Sequence, residues 1–112
     1  MSATAHRGDL VTVALAGDFG KPHPALVIQS DLFDTHPSVC VLLVTGTLVE
    51  APLLRITVEP SPANGLRKTS QVMGDKVMTL PRDKLGPAFG RLEADTMLQV
   101  ERCLALFLGI AR

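Results

Sequence analysis

The sequence predicts a mainly β domain, a small curled antiparallel sheet or barrel that ends in one α-helix. Eight prolines and nine glycines are spread over 112 residues, which is typical of many short elements separated by turns. Apolar residues follow strand-like patterns as far as Leu80, and a helical pattern comes only after them. Several strands followed by a single helix favour an antiparallel sheet over a parallel α/β fold.

The first half of the chain contains three strand patterns. Residues 9–15 are rich in β-branched side chains and predict a first strand, with a turn over 16–20. Residues 25–29 predict a second strand. Ser38–Thr45 is almost continuously apolar, as in a strand that is covered on both faces. We therefore expect this third strand at the centre of the sheet.

The next strands are shorter and are separated by turns. Residues 53–59 alternate apolar and polar side chains, which predicts a strand with one wet face. A long turn over 60–65 follows. Two short strands are then expected at 70–73 and 76–80, with Gly74 as a bend between them.

Residues 93–108 predict the single helix. Four apolar side chains recur there at helical spacing, namely Met97, Val100, Leu104 and Phe107. Gly109 supplies the expected stop. Phe107 and the earlier Phe89 are interpreted as core residues.

Length and charge limit the organisation of the protein. A hydrophobic content of 46% in 112 residues suits one domain over 8–112, preceded by a flexible N-terminal segment over 1–7. The formal net charge is zero, which excludes a strongly basic surface overall. Residues 60–91 nevertheless carry six cationic and two acidic side chains, so a local positive patch is expected.

The sequence indicates no membrane anchor, metal or cofactor. It has no targeting pattern and no apolar stretch of membrane-spanning length, so we expect a cytoplasmic protein. Cys40 and Cys103 are interpreted as small buried hydrophobes in a reducing compartment. His6, His23 and His36 are isolated in sequence, which predicts no metal site. A glycine-rich phosphate-binding loop is absent as well, and no cofactor is expected.

Four short segments follow one another along the chain: RGDLV at 7–11, GKPHPALVIQS at 20–30, VLLVT at 41–45 and SQVM at 70–73. Together they resemble the MazF/PemK toxin family, in unbroken order over about residues 7 to 111. The resemblance implies an SH3-like β-barrel of the CcdB/MazF-like superfamily with a C-terminal helix. It also implies a homodimeric toxin of a type II toxin–antitoxin system that cleaves single-stranded mRNA at short sequences.

The resemblance assigns two catalytic positions. In the family, an arginine opens an Arg-Pro-Ala stretch in the second strand, and a threonine ends the third strand. By position the threonine is Thr45, whereas His23 stands in place of the arginine. Attack by the RNA 2′-hydroxyl needs a base, an acid and cations around the phosphate. Imidazole serves as base or acid near neutral pH but lacks the permanent charge of arginine. We therefore predict that His23 and Thr45 carry the chemistry.

Six further side chains are candidates for binding RNA. They are Phe19, Lys21, Arg67, Lys68, Gln71 and Lys76. The cations would contact phosphates, Gln71 would read a base edge and Phe19 would stack on a base. The plainer alternatives are a solvated charge for each cation and bonding to neighbouring backbone for Gln71. Lys21 is also a candidate for the missing permanent cation. An acidic, partly disordered antitoxin is expected to compete with RNA for the four cations.

Two other functions stay open at this point. CcdB-like proteins share this fold and poison DNA gyrase by binding through a C-terminal Trp-Gly-Ile. The present chain has Leu108, Gly109 and Ile110 there, without the tryptophan anchor. Alternatively, His23 marks a catalytically inactive toxin homologue that still dimerises and binds antitoxin. An RNA cleavage assay that includes His23→Arg distinguishes these readings.

Overall fold

The computed structural model describes residues 5–15 and 21–111, and they form one antiparallel sheet and one helix. The strands are β1 (Asp9–Ala14), β2 (Pro22–Val27), β3 (Ser38–Thr45), β4 (Arg55–Val58), β5 (Ser70–Pro81) and β6 (Leu85–Arg91), and the helix is α1 (Ala94–Phe107). The strand order across the sheet is β4-β5-β3-β2-β1-β6. The predicted fold class, mainly β with a C-terminal helix, is confirmed. The turn predicted over 16–20 lies outside the described residues.

The sheet curls until its two edges meet. β4 and β6 are the opposite edge strands, yet the loop after β4 bonds to β6: Arg91 N–H donates to the Ala63 carbonyl at 2.8 Å. A Cβ added to Gly90 would lie only 2.0 Å from the Asn64 carbonyl oxygen, so the two backbones are in close contact. This closure gives the sheet its barrel-like form.

A buried polar cluster holds the loop after β4 in this position. Asn64 is fully buried, and its Oδ1 accepts from the N–H groups of Ser61 and Leu66, both at 3.0 Å. The Asn64 Nδ2 donates to Glu93 Oε1 at 3.2 Å, and the Ser61 hydroxyl donates to Glu93 Oε2 at 2.6 Å. The bond from the Ser61 hydroxyl is the main reason that the pKa of Glu93 lies below its ordinary value. The start of α1 is thereby tied to the closing loop.

Side-chain alternation gives the sheet two apolar cores. The helix-side core consists of Leu10, Leu26, Leu42, Val44, Ile56, Val58, Val72, Leu92, Met97, Val100 and Cys103. The opposite core consists of Ala5, Val11, Val13, Ala25, Val27, Val39 and Val41. β3 contributes to both cores, as its continuous apolar run predicts. It is therefore a central strand with neighbours on each side.

The helix prediction is confirmed, and Gly109 ends the helix as expected. Gly109 has φ +76°, its N–H donates to the Leu106 carbonyl, and Ile110 N–H donates to the Ala105 carbonyl at 2.8 Å. This is the Schellman arrangement that glycine favours. The prediction that Phe107 belongs to the core is wrong: its exposure is 48%. The buried stripe runs instead through Cys103, which turns Phe107 away from the sheet.

Strand β6 is absent from the sequence prediction. Its sequence, LGPAFGR, contains two glycines and a proline, which normally indicate a turn. These residues are tolerated because β6 is an edge strand whose pairing with β1 shifts register twice. The edge position also explains why Phe89, interpreted as core, is 39% exposed.

The two short strands predicted over 70–80 are one strand, β5. Its register against β3 shifts between the Leu42 and Val44 pairs, close to Gly74. A Cβ on Gly74 would lie 2.3 Å from Cys103 Sγ. The glycine therefore makes room for α1, and it does not form the predicted bend. Burial, followed by the nearby Asp75, raises the pKa of the Cys103 thiol.

Three smaller corrections concern bounds and burial. β2 begins at Pro22 and ends at Val27, so it lies earlier in the chain than residues 25–29. β4 is shorter than 53–59, because residues 51–54 form a turn in which Leu54 N–H donates to the Ala51 carbonyl at 2.9 Å. Cys40 is only half-buried, since its neighbour across the sheet, Thr79, is exposed.

Among residues 5–15 and 21–111, no helix has the length and apolar character needed to cross a membrane.

Candidate active site

His23 and Thr45 belong to adjacent strands and lie near the same end of the sheet. β2 and β3 pair antiparallel through Ala25 opposite Leu43 and Val27 opposite Val41. The same register, if it continued for two more residues, would set His23 opposite Thr45. The pairing of β2 with β3 stops at Ala25, although β2 begins at Pro22 and β3 runs on to Thr45. The start of β2, the end of β3 and the start of β5 are called the site end of the sheet below.

The prolines on either side of His23 explain how β2 is built here. Pro22, His23 and Pro24 pair with Ala14, Val13 and Thr12 of β1. Proline has no amide hydrogen, so neither proline donates a bond to a neighbouring strand. His23 itself is half-buried in extended backbone. The imidazole is therefore held by a rigid strand, next to the point where the β2–β3 pairing stops.

The Thr45 hydroxyl has a defined partner and retains a hydrogen to donate. Thr45 is half-buried, and its Oγ1 accepts from Thr47 N–H at 3.1 Å. A hydroxyl carries one donor and two acceptor sites, so this bond leaves its hydrogen for another acceptor. A phosphate oxygen is an acceptor of that kind.

Gln71 lies opposite Thr45 in β5 and is 5% exposed. Its Oε1 accepts from Val49 N–H at 3.1 Å, and its Nε2 donates to the Val49 carbonyl at 3.0 Å and to Thr57 Oγ1 at 3.2 Å. The amide thus satisfies neighbouring backbone, as the plainer alternative has it. It fixes the loop that follows Thr45.

The Lys68 side chain contacts the residue that follows Thr45. A Cβ added to Gly46, the residue after Thr45, would lie 2.2 Å from Lys68 Cε and 2.6 Å from Lys68 Nζ. The Lys68 side chain therefore lies directly over the Gly46 backbone. Its own carbonyl accepts a bond from Ser70 Oγ at 2.9 Å, which anchors the segment at the start of β5.

The other predicted RNA-binding residues are distributed unevenly. Lys21 is exposed just before β2, and Arg67 is exposed beside Lys68, so both belong to the site end of the sheet. Lys76 lies further along β5, with its Nζ 3.9 Å from Asp75 Oδ2. Phe19 lies outside the described residues.

A shallow hollow of about 720 Å³ adjoins the site end. It is lined by Leu48, Val49, Glu50, Ala51, Pro52, Arg55, Thr57, Gln71 and Gln99. The sequence analysis does not predict Arg55 as a site residue. The signal for it was its position as a polar residue in the alternating pattern of residues 53–59. Its Nε lies 3.6 Å from Asp75 Oδ1, and neither atom has a hydrogen-bond partner within the described part of the chain.

The site offers proton transfer and positive charge. Among residues 5–15 and 21–111, no group of three or more His, Cys, Asp or Glu side chains is placed to hold a metal ion. What the site end presents is an imidazole, a hydroxyl and nearby ammonium groups. This set suits a reaction at a phosphate ester in which a proton moves and negative charge develops.

Comparison with known sequences gives a consistent result. The family model described as PemK-like, MazF-like toxin of type II toxin–antitoxin system matches residues 6–108. A probable endoribonuclease MazF of Mycolicibacterium smegmatis is 49% identical over 106 residues, which cover 94% of this chain and 97% of the relative.

Solved structures show the same fold. An endoribonuclease in complex with its cognate antitoxin, from a mycobacterial species, superposes with a TM-score of 0.80 at 26% identity, over 96% of this chain and 98% of that chain. The Mycobacterium tuberculosis toxin MazF-mt6 superposes with a TM-score of 0.79 at 22% identity, over 93% of this chain and 99% of that chain.

Proposed function

Because the chain belongs to the PemK-like, MazF-like toxin family of type II toxin–antitoxin systems, we propose that it is a toxin that cleaves single-stranded mRNA sequence-specifically in the cytoplasm. The family match spans most of the chain, and the 49% identical relative is described as a probable endoribonuclease. The observation that carries the proposal is the position of His23 and Thr45 at one end of adjacent strands, with Lys68 beside Gly46.

The reaction is an internal transfer at the phosphate. The RNA 2′-oxygen attacks phosphorus, the bond from phosphorus to the 5′-oxygen breaks, and the products are a 2′,3′-cyclic phosphate and a 5′-hydroxyl. One proton leaves the 2′-hydroxyl and one reaches the departing 5′-oxygen. His23 is the proton-transfer group, because imidazole acts in both directions near neutral pH. The Thr45 hydroxyl donates to a non-bridging phosphate oxygen.

The hollow that adjoins the site end is the proposed site for a neighbouring nucleotide. It borders Gln71 and contains the half-buried Arg55, whose guanidinium suits a phosphate or a base edge. Thr57 adds a hydroxyl at the same wall. Single-stranded RNA fits this open shape because its bases are free to turn toward the protein.

Two protein partners are proposed. A solved structural neighbour contains an endoribonuclease with its cognate antitoxin. Here an acidic, partly disordered antitoxin would bind Lys21, Arg67, Lys68 and Lys76 in competition with RNA. A homodimer is supported by large apolar side chains exposed on the described surface, such as Leu53 at 71% and Ile110 at 78%.

Gyrase poisoning is not favoured. The three residues that correspond to the CcdB-like Trp-Gly-Ile have no tryptophan, and Gly109 already serves as the helix stop. Aromatic anchors carry much of the energy of such interfaces. Loss of catalytic activity through His23 is a separate alternative. The RNA cleavage experiment below distinguishes it from gyrase poisoning.

The test is cleavage of a panel of single-stranded RNAs by the purified protein, with matched duplexes as controls. The expected result is cleavage of single strands only, with 2′,3′-cyclic phosphate and 5′-hydroxyl ends identified by mass spectrometry. No cleavage by the unmodified protein with full recovery in His23→Arg would identify an inactive homologue. Inhibition of gyrase supercoiling without RNA cleavage in either protein would favour the poison.

A further inference from the structure

Building on the proposed function, we propose that Lys68 is a catalytic cation that contacts the scissile phosphate and supplies the permanent positive charge that a histidine at position 23 does not provide. The sequence predicts that Lys68 contacts the RNA backbone and the antitoxin. Its position against Gly46 assigns it a more specific role.

The first step of the argument is geometric. Gly46 follows Thr45 directly, and the Lys68 Cε and Nζ lie 2.2 Å and 2.6 Å from where a Gly46 Cβ would stand. A side chain at position 46 would occupy the space of the Lys68 side chain. The glycine therefore lets the lysine lie across the backbone at the end of β3, beside the residue that follows Thr45.

The second step concerns charge. Negative charge develops on the non-bridging oxygens as the 2′-oxygen adds to phosphorus. While His23 acts as a base it begins the reaction neutral, so it cannot neutralise that charge at the start. A lysine ammonium is a compact point charge that remains charged near neutral pH and suits one phosphate oxygen. Lys68 and the Thr45 hydroxyl together would hold the two non-bridging oxygens.

The third step compares Lys68 with the other cations. Lys76 is engaged 3.9 Å from the Asp75 carboxylate and lies further along β5. Lys21 and Arg67 are exposed at the site end, and neither supplies the atoms nearest to the Gly46 Cβ position, which all belong to Lys68. A plain packing role remains the competing account of Lys68, since lysine stems often cover apolar backbone while the ammonium stays in water.

The test uses single-turnover cleavage at saturating RNA, with an oligonucleotide that the unmodified protein cleaves, and measures RNA affinity separately. Lys68→Met is expected to lower the single-turnover rate by about 100-fold, the scale of losing one electrostatic stabiliser. Lys68→Arg should restore much of the rate. Arg102→Met removes the same charge from the exposed surface of α1 and serves as the matched control, with the rate unchanged.

Gly46→Ala provides a second line of evidence that keeps the charge in place. Its Cβ must push the flexible end of Lys68 aside, so the rate should fall by about 10- to 100-fold through misplacement of the ammonium. In a Lys68→Met background the same substitution should have no further effect. This non-additive result is specific to a pathway through Lys68.

Three outcomes decide the matter. Loss of rate in both single variants, without further loss in the double variant, supports the inference. A Lys68→Met protein that cleaves at the unmodified rate, with or without weaker RNA binding, would overturn it and leave Lys68 as a binding or packing residue. Absence of cleavage by the unmodified protein and by His23→Arg would instead overturn the proposed function, and this inference with it.

Discussion

Thr45 at the end of β3 lies opposite Gln71 of β5, and the Gln71 amide connects this pair to both backbone groups of Val49. A nearly buried side chain thus holds the loop after the predicted catalytic threonine. The arrangement links the sheet register to the geometry of the site. It also gives Gln71 a role that does not require contact with a base.

Replacement of Gln71 by Leu should release this loop. Two bonds to Val49 are lost, and each contributes about 0.5 to 1.5 kcal/mol of stability, because the exposed Val49 can turn its backbone groups to water. We expect faster hydrogen exchange at Val49 and slower cleavage at an unchanged RNA sequence. Thr57→Val removes only one Gln71 bond and is the milder control. A new cleavage sequence in the Gln71 variant would indicate that Gln71 reads a base after all.

Alanine at position 90 should lower the stability of the fold much more than alanine at position 46. A Cβ on Gly90 meets the Asn64 carbonyl oxygen at 2.0 Å, and this backbone cannot move without opening the sheet closure. We expect Gly90→Ala to destabilise the fold by about 3 kcal/mol or more. Gly46→Ala meets only the flexible end of Lys68 and should change stability by less than about 1 kcal/mol. Urea unfolding of the two variants measures both values, and equal losses would contradict this account of the closure.

The Ser61 bond to Glu93 predicts a pH-dependent contribution to stability. The folded pKa of Glu93 is lowered, chiefly by the Ser61 hydroxyl, so the ionised carboxylate stabilises the fold above the unfolded pKa of about 4.3. This contribution is lost as pH falls through the lower folded pKa. Ser61→Ala should therefore destabilise the protein by about 1 kcal/mol at pH 7, and the difference should narrow below about pH 4. Denaturant titrations at several pH values test this, and a constant difference would speak against it.

The Cys103 thiol should be protected in the folded state. Burial raises its pKa, with a smaller contribution from Asp75, and the thiol donates to the Leu53 carbonyl at 3.0 Å. Because the thiolate is the reactive form, alkylation of Cys103 should be slow until the protein unfolds. Iodoacetamide labelling of a Cys40→Ser variant isolates this thiol. Rapid labelling under native conditions would show that α1 separates from the sheet.

The sequence was informative where local pattern and tertiary structure agree. The apolar run of Ser38–Thr45 marks β3 with the observed bounds, and helical spacing together with Gly109 identifies α1. The sequence prediction missed β6. Its glycines and proline are allowed only because β6 is an edge strand, and no local pattern reveals an edge position.

The candidate site likewise combines residues that the sequence predicts with a contact that forms only in the folded sheet. The family resemblance drew attention to His23 and Thr45, and the strand register sets them at one end of the sheet. The contact of Lys68 with Gly46 joins residues far apart in the chain, and it depends on how β5 begins beside the end of β3. Packing of that kind arises only in the folded sheet.

The pH dependence of single-turnover RNA cleavage by the unmodified protein, His23→Ala and His23→Arg tests the central claim most directly. The account predicts that the rate of the unmodified protein depends on pH around neutrality, because general acid–base catalysis needs the catalytic group in the correct protonation state. It predicts a loss of about 100-fold or more in His23→Ala, the scale of a lost general acid or base. In His23→Arg, activity should be preserved or raised, with a flatter profile, since arginine does not titrate there. Robust cleavage by His23→Ala with an unchanged pH profile would contradict the assignment of His23 as the proton-transfer group.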